Sequence, residues 1–194
     1  MSTDTNALAA YISRRLDEVS TEEDIPISMA WARISAEMLG YNPDTVEFFP
    51  NRDCGIDYYT RSDRTFEVFQ CKMHEPDDAG NLELKAAFGP EGYEDINRAA
   101  LFLLRQISPT NVDPRLLGFR EQLKEEISLV SSTEDEGTPK AAVSLVFRLV
   151  TLGDNLSPAA KDRTKALRSE FKQLEQEYPG IKLSLEHTGI TDLQ

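Results

Sequence analysis

Gly55-Ile56-Asp57-Tyr58-Tyr59-Thr60-Arg61-Ser62-Asp63-Arg64-Thr65-Phe66-Glu67-Val68-Phe69-Gln70-Cys71-Lys72 is the stretch on which the fold turns. Residues 65–72 alternate and are rich in Phe and Val, the pattern of a β-strand. Side chains two apart on a strand share a face, roughly 7 Å from one another. Phe66, Val68, Gln70 and Lys72 therefore point one way, and Glu67, Phe69, Cys71 and Met73 the other. Phe66 and Val68 are expected in the core, with Gln70 and Lys72 emerging where the strand leaves it. Residues 56–60 form an antiparallel neighbour, with residues 61–64 as the hairpin turn. That pairing brings Asp57 beside Gln70 and Lys72.

Working outward, residues 5–19 read as an amphipathic helix with Leu8, Tyr11, Ile12 and Leu16 on its buried stripe. A break near Pro26 starts a second helix over residues 28–39, turning Trp31, Ile34 and Met38 inward. Residues 46–49 are a short strand. Residues 76–81 and 85–92 are loops beside the motif. Residues 94–107 form an apolar helix whose start is marked by Asp95 and Asn97. Residues 109–114 link it to an amphipathic helix over 115–130 with Leu116, Phe119, Leu123 and Ile127 at helical spacing. The acidic run 131–140 reads as a disordered loop. Residues 142–150 are almost wholly apolar and predict a central buried strand. Ser157 as N-cap and Pro158 as first helical residue open a helix over 157–178, ended by Pro179-Gly180. Residues 181–186 alternate as a half-exposed or edge strand, and residues 188–194 lead toward a further element that Thr191 or Asp192 would cap.

Helices, a hairpin, then helix–strand–helix–strand predict an α/β fold with a mixed central sheet flanked by helices on both faces. The strand after the motif pair is expected parallel to its neighbour. The chain of 194 residues fits one domain. Within it, residues 1–40 are N-terminal helices, 46–150 the core with the motif, and 157–187 the closing helix and strand; the whole reads as a natural short form or a piece of a longer protein.

The chemistry follows from residue types. Phosphodiester hydrolysis needs a Lewis acid and an activated water. Magnesium prefers oxygen ligands and often takes one or two from the protein. Asp57 offers a carboxylate, Gln70 an amide oxygen and Cys71 a main-chain carbonyl. Lys72 orients the water or stabilises the pentacovalent transition state. The alternative reading stands beside it: Asp57 as a turn residue after Cys54-Gly55, and Gln70 and Lys72 as an ordinary polar strand end.

At Gly55-Ile56-Asp57 and Gln70-Cys71-Lys72 the chain resembles the PD-(D/E)XK, or restriction-endonuclease-like, nuclease superfamily in its Gln-x-Lys variant, a pattern that recurs in Mrr-like endonucleases. The stretches LVTLGDNLSPAAK and IKLSLEHTGITDL look like the end of the N-terminal nuclease-like domain of abortive-infection phage-resistance (AIPR) proteins. The resemblance implies a magnesium- or manganese-dependent endonuclease in bacterial antiphage defence. It implies nucleic acid as partner, DNA before RNA, and a homodimer or larger defence complex as the assembly. Asp57, Gln70 and Lys72 take the catalytic positions, and Asp57, Gln70 and the Cys71 carbonyl the metal. Glu37 and Glu23 are the candidates for the helical glutamate of that superfamily. The other implied class is a catalytically silent or partner-activated module that binds proteins in a defence complex.

Remaining candidates read more simply. Glu67 faces away from Gln70 and belongs to a surface or polar network. Asp53 feeds a second metal or is a solvated loop residue. His74 and Glu75 line the site or are exposed, and His187 is structural or exposed. Neither histidine has a spaced partner, so zinc is not expected. Two cysteines make no disulfide framework, and Cys71 reads as a small buried hydrophobe. No apolar leader or membrane-length run is present, so a cytoplasmic protein without membrane contact is expected. The net charge of −13 argues against a phosphate-gripping surface. Arg52, Arg61, Arg64, Lys72 and Lys85 nevertheless cluster in sequence around the motif.

Overall fold

The computed structural model describes residues 2–49, 54–74, 76–77, 82–105, 111–132 and 142–193. Two helices, α1 (Ser2–Glu23) and α2 (Ile27–Met38), precede a hairpin of β1 (Tyr58–Ser62) and β2 (Thr65–Lys72). Helices α3 (Glu91–Arg105) and α4 (Pro114–Ser132) lead to β3 (Val143–Thr151), and α5 (Pro158–Glu177) to β4 (Ile181–Thr188). The four strands lie in the order β1-β2-β3-β4. β1 is antiparallel to β2, whereas β2, β3 and β4 are parallel. The fold is α/β, a mixed sheet with helices on both faces.

Alternation sorts the two faces. Phe66 and Val68 of β2 and Leu145, Phe147 and Leu149 of β3 join one core with Ile96 and Phe102 of α3, Phe119 of α4 and Phe171 of α5. Phe69 and Val150 face the other core, with Ile12 and Leu16 of α1 and Trp31 and Ile34 of α2. β3 is largely buried on both faces, which explains its mostly apolar sequence, broken at Ser144 and Arg148. Ser157 caps α5 as expected, its Oγ accepting from the Ala160 N–H at 3.1 Å.

Several boundaries differ from the sequence expectation, each for a local reason. The register Ser62↔Thr65 keeps Arg61 and Ser62 in the ladder and leaves only Asp63 and Arg64 as the turn. Asp63 adopts φ 54°, which a short polar side chain tolerates. Residues 46–49 make a single antiparallel bridge, Phe48↔Tyr58, because the facing chain bends away at Gly55 before a ladder develops. Tyr11 is 45% exposed, since the buried stripe of α1 runs through Ile12, Leu16 and Val19, one residue round the helix. Helix α3 begins at Glu91, so Asp95 lies in its second turn and is not its cap. Residues 190–193 form a 3-10 turn that buries Ile190 and Leu193 against the α1–α2 core. Thr191 and Asp192 hold the turn itself: Asp192 Oδ2 accepts from the Gly189 N–H, and the Thr191 N–H donates to Asp154. Of the loop expected over residues 131–140, residues 131 and 132 belong to the last turn of α4, and the rest lies outside the described residues, as do residues 78–81 and 106–110.

Candidate functional site

Antiparallel pairing makes the site. β1 begins opposite the end of β2, at Tyr58↔Phe69, so the residue before Tyr58 falls beside Gln70 and Cys71. Asp57 is pinned by its main chain on both sides: its N–H donates to Phe69 O and its carbonyl accepts from the Phe49 N–H, each at 2.9 Å. Its side chain then replaces the ladder. Asp57 Oδ2 accepts from the Cys71 N–H at 2.5 Å and from Gln70 Nε2 at 2.7 Å. A carboxylate taking two donors at such distances is held in one orientation.

Gln70 is 4% exposed. Its Nε2 serves Asp57, with a longer contact to the Cys71 carbonyl at 3.5 Å, while its Oε1 is buried with no hydrogen-bond partner. An orphaned buried acceptor costs about 1–3 kcal/mol, so this oxygen calls for a partner, a water or an ion. Lys72, on the same face one pleat further, leaves the core along Gly92. A Cβ on Gly92 would stand 3.3 Å from Lys72 Cγ and 2.5 Å from a Leu149 methyl. Lys72 Nζ ends 2.6 Å from Asp95 Oδ2, and Asp95 Oδ1 takes Arg98 Nη2 at 2.9 Å. Gly55 closes the arrangement. Its φ is 82°, and a Cβ there would lie 2.0 Å from the Asp95 carbonyl oxygen. The second turn of α3 thus touches both the loop that delivers Asp57 and the ammonium of Lys72.

Asp57 meets Gln70 and the Cys71 main chain, whereas Lys72 lies on the same strand face as Gln70 and sends its ammonium to Asp95. Glu37 and Glu23 do not join them. Glu37 Oε2 pairs with Arg15 at 3.3 Å and Glu23 Oε2 with Arg33 at 3.0 Å, both on the α1–α2 side of the sheet. They line a cavity of about 240 Å³ with those arginines and Asp44. Asp95 is the residue the sequence reading missed. The signal was present: Gly92 and Asp95 are three apart and share a helix face, and the helix after a strand-end lysine is the nearest source of its counter-ion.

The other candidates resolve into structural roles. Glu67 lies on the opposite face, as its position in the strand required. It accepts from Tyr41 Oη at 2.5 Å, Thr60 Oγ1 at 3.2 Å and Arg148 Nη2 at 3.2 Å. Burial pushes the Cys71 thiol well above its ordinary range, and the charge of Asp57 adds to this, so it is no thiolate nucleophile. His74 stacks on Phe88 with ring centroids 4.2 Å apart. Asp53, Glu75 and Arg52 lie outside the described residues. Two of the clustered cations are already engaged: Arg61 reaches Glu126 at 2.5 Å, and Lys72 reaches Asp95.

His187 is more constrained than expected. Thr151 gives its hydroxyl proton to Gly153 O at 2.6 Å, so the 2.8 Å contact to His187 must be donated by Nε2–H. Burial lowers the His187 pKa, against the opposing charges of Asp192 and Asp154. A histidine whose folded pKa is depressed stabilises the fold above its unfolded value near 6.5. That stability is lost as pH falls from there through the folded pKa. We expect unfolding midpoints measured between about pH 7 and pH 5 to decline, and His187→Gln to flatten the decline. An equally steep decline in the variant would show that other groups carry it.

Metal chemistry was tested on the donors present. Among the described residues no group of three His, Cys, Asp or Glu side chains gathers to hold a metal ion. The Asp57 carboxylate and the Cys71 main-chain carbonyl both face the Gln70 amide nitrogen, at 2.7 and 3.5 Å; these two oxygens are hard donors that suit magnesium or manganese with water completing the shell, and the Gln70 oxygen would join them only with its amide turned over. No family model, curated protein or solved structure matches the chain. Among the described residues no helix is long and apolar enough to cross a membrane.

Proposed function

We propose that this protein is a metal-dependent endonuclease of restriction-endonuclease-like type, hydrolysing phosphodiester bonds of nucleic acid, DNA before RNA. The observation that carries the reading is the Asp57 carboxylate held against the buried Gln70 amide, whose Oε1 has no hydrogen-bond partner, at the end of the strand that also delivers Lys72. The order of elements adds support: helices, a motif hairpin, a parallel crossover strand, then helix and parallel strand. Asp57, Gln70 and the Cys71 carbonyl would hold magnesium or manganese, which supplies a Lewis acid for the phosphate and a more acidic water. Asp57 is oriented for this by the Cys71 N–H, and the buried Gln70 amide excludes competing water from the inner side. Lys72 brings the positive charge that steadies the developing charge on phosphorus and its oxygens. A role in cytoplasmic antiphage defence, within a homodimer or larger complex, follows from the resemblance to the AIPR domain.

A second reading is favoured by one set of contacts. Lys72 and Arg61 are neutralised by Asp95 and Glu126, and the chain carries a charge of −13. A module silent alone, and activated by or docked on a partner protein, would look the same.

Cleavage of plasmid and single-stranded DNA with magnesium or manganese, wild type beside Lys72→Ala, separates the two. We expect the wild type to cut and the variant to lose on the order of a hundredfold or more in rate. No cleavage by either protein, both folded, would sink the self-sufficient enzyme and leave the partner-dependent module.

A further inference from the structure

We propose that Asp95 is the positioning residue of Lys72, holding the ammonium at the strand end where the endonuclease reading needs it; the inference rests on that reading. Three contacts converge on this one helical turn. The carboxylate takes Lys72 Nζ at 2.6 Å through Oδ2. Its other oxygen is anchored by Arg98 at 2.9 Å, so the carboxylate is not free to follow a wandering lysine. The main-chain carbonyl of Asp95 packs on Gly55 so closely that a Cβ there would come within 2.0 Å. The same turn of α3 therefore sets the distance between the Asp57 loop and the Lys72 head.

Burial supports a defined geometry over a loose surface pair. The Asp95 side chain is 17% exposed and that of Lys72 33%, whereas Arg98 is 57% exposed. A flexible four-carbon stem leaving a sheet edge samples many rotamers unless its end is tied. Asp95 ties it on the face shared by Gln70, and Gly92 gives the stem room to lie flat against α3. Positioning of this kind acts on the transition state and leaves ground-state binding of a long polyanion to other contacts.

The experiment compares wild type, Asp95→Asn and Asp95→Glu in two assays on the folded full chain. The first is steady-state cleavage with manganese. The second is acylation of lysines by an N-hydroxysuccinimide acetate, read at Lys72 by mass spectrometry. Asp95→Asn should lower kcat by ten- to a hundredfold with KM within about twofold. It should also raise labelling of Lys72 severalfold over the other lysines, and Asp95→Glu should restore part of both. A preserved kcat in Asp95→Asn overturns the proposal even if labelling rises, because the pair is then only structural. A raised KM with kcat unchanged also overturns it, because Asp95 would then serve binding. Unchanged Lys72 labelling overturns the ion pair itself. If the wild type does not cut, the endonuclease reading falls first and the positioning role with it, and the labelling contrast then reports a structural pair alone.

Discussion

Gly55→Ala lowers the unfolding free energy by about 3 kcal/mol and abolishes whatever the site does. Two penalties add. A non-glycine residue at φ 82° sits in the left-handed region, at about 1–2 kcal/mol. The new methyl also meets the Asp95 carbonyl oxygen at 2.0 Å, and a helix backbone cannot turn aside as a side-chain end can. Overpacking of this sort costs about 1–3 kcal/mol. Gly40 supplies the control. Its φ is 86°, yet nothing lies within 4 Å of a Cβ built there, so Gly40→Ala carries the conformational penalty alone. Urea unfolding of both variants isolates the close approach. Equal midpoint shifts would mean that the loop before Asp57 is not pressed against α3. Because Asp57 is two residues on, we expect the methyl to push it away from Gln70 and Cys71 in any Gly55→Ala protein that still folds.

Asp57→Ala destabilises the fold by about 3 kcal/mol, whereas Asp57→Asn costs about 1 kcal/mol. Alanine leaves the Cys71 N–H and Gln70 Nε2 without the acceptor they share, and each stranded buried donor costs about 1–3 kcal/mol. Both of these bonds go to Oδ2, so an asparagine oxygen placed there can accept both while the charge is lost. Asparagine is therefore the variant that separates chemistry from folding. We expect cleavage to be lost and manganese binding, read by isothermal titration, to weaken at least tenfold in Asp57→Asn while its thermal unfolding stays cooperative. If alanine proves as stable as asparagine, Asp57 is not holding the strand end. If asparagine binds manganese as tightly as the wild type, Asp57 is not a ligand.

Much of this was legible in residues 55–72. Alternation of Phe66, Val68 and Gln70 against Glu67 and Phe69 determined which side chains share a face, and the two cores keep that division. Glu67 could be set aside from the site on strand geometry alone, and its bonds to Tyr41, Thr60 and Arg148 agree. The hairpin was legible, but its register was not: a turn over residues 61–64 would set Asp57 opposite Val68, and it is the tighter two-residue turn, with Ser62 opposite Thr65, that brings it to Gln70. Helix existence was equally plain, but helix ends were not. The α3 start moved to Glu91, which turned Asp95 from a marker of the helix start into a residue of the second turn.

The helical glutamates show where periodicity stops helping. Glu37 and Glu23 were reasonable by order along the chain, yet Arg15 and Arg33 hold them on the α1–α2 side. No local pattern announces which of several arginines a glutamate will meet across a helix pair.

The sequence by itself determined the four sheet strands, the existence of the helices and the face that most of their side chains take, because those relations follow from periods of 2.0 and 3.6 residues; the two-residue turn that sets Asp57 against Gln70 and Cys71 was decided by the fold. Only the tertiary structure decided that α3 lies across Gly55 and Gly92, that Lys72 ends on Asp95, and that Gln70 keeps an unpartnered oxygen. Those relations join elements separated by a long crossover, and they depend on how a helix packs on a sheet and on the space two glycines leave, which no window along the chain contains.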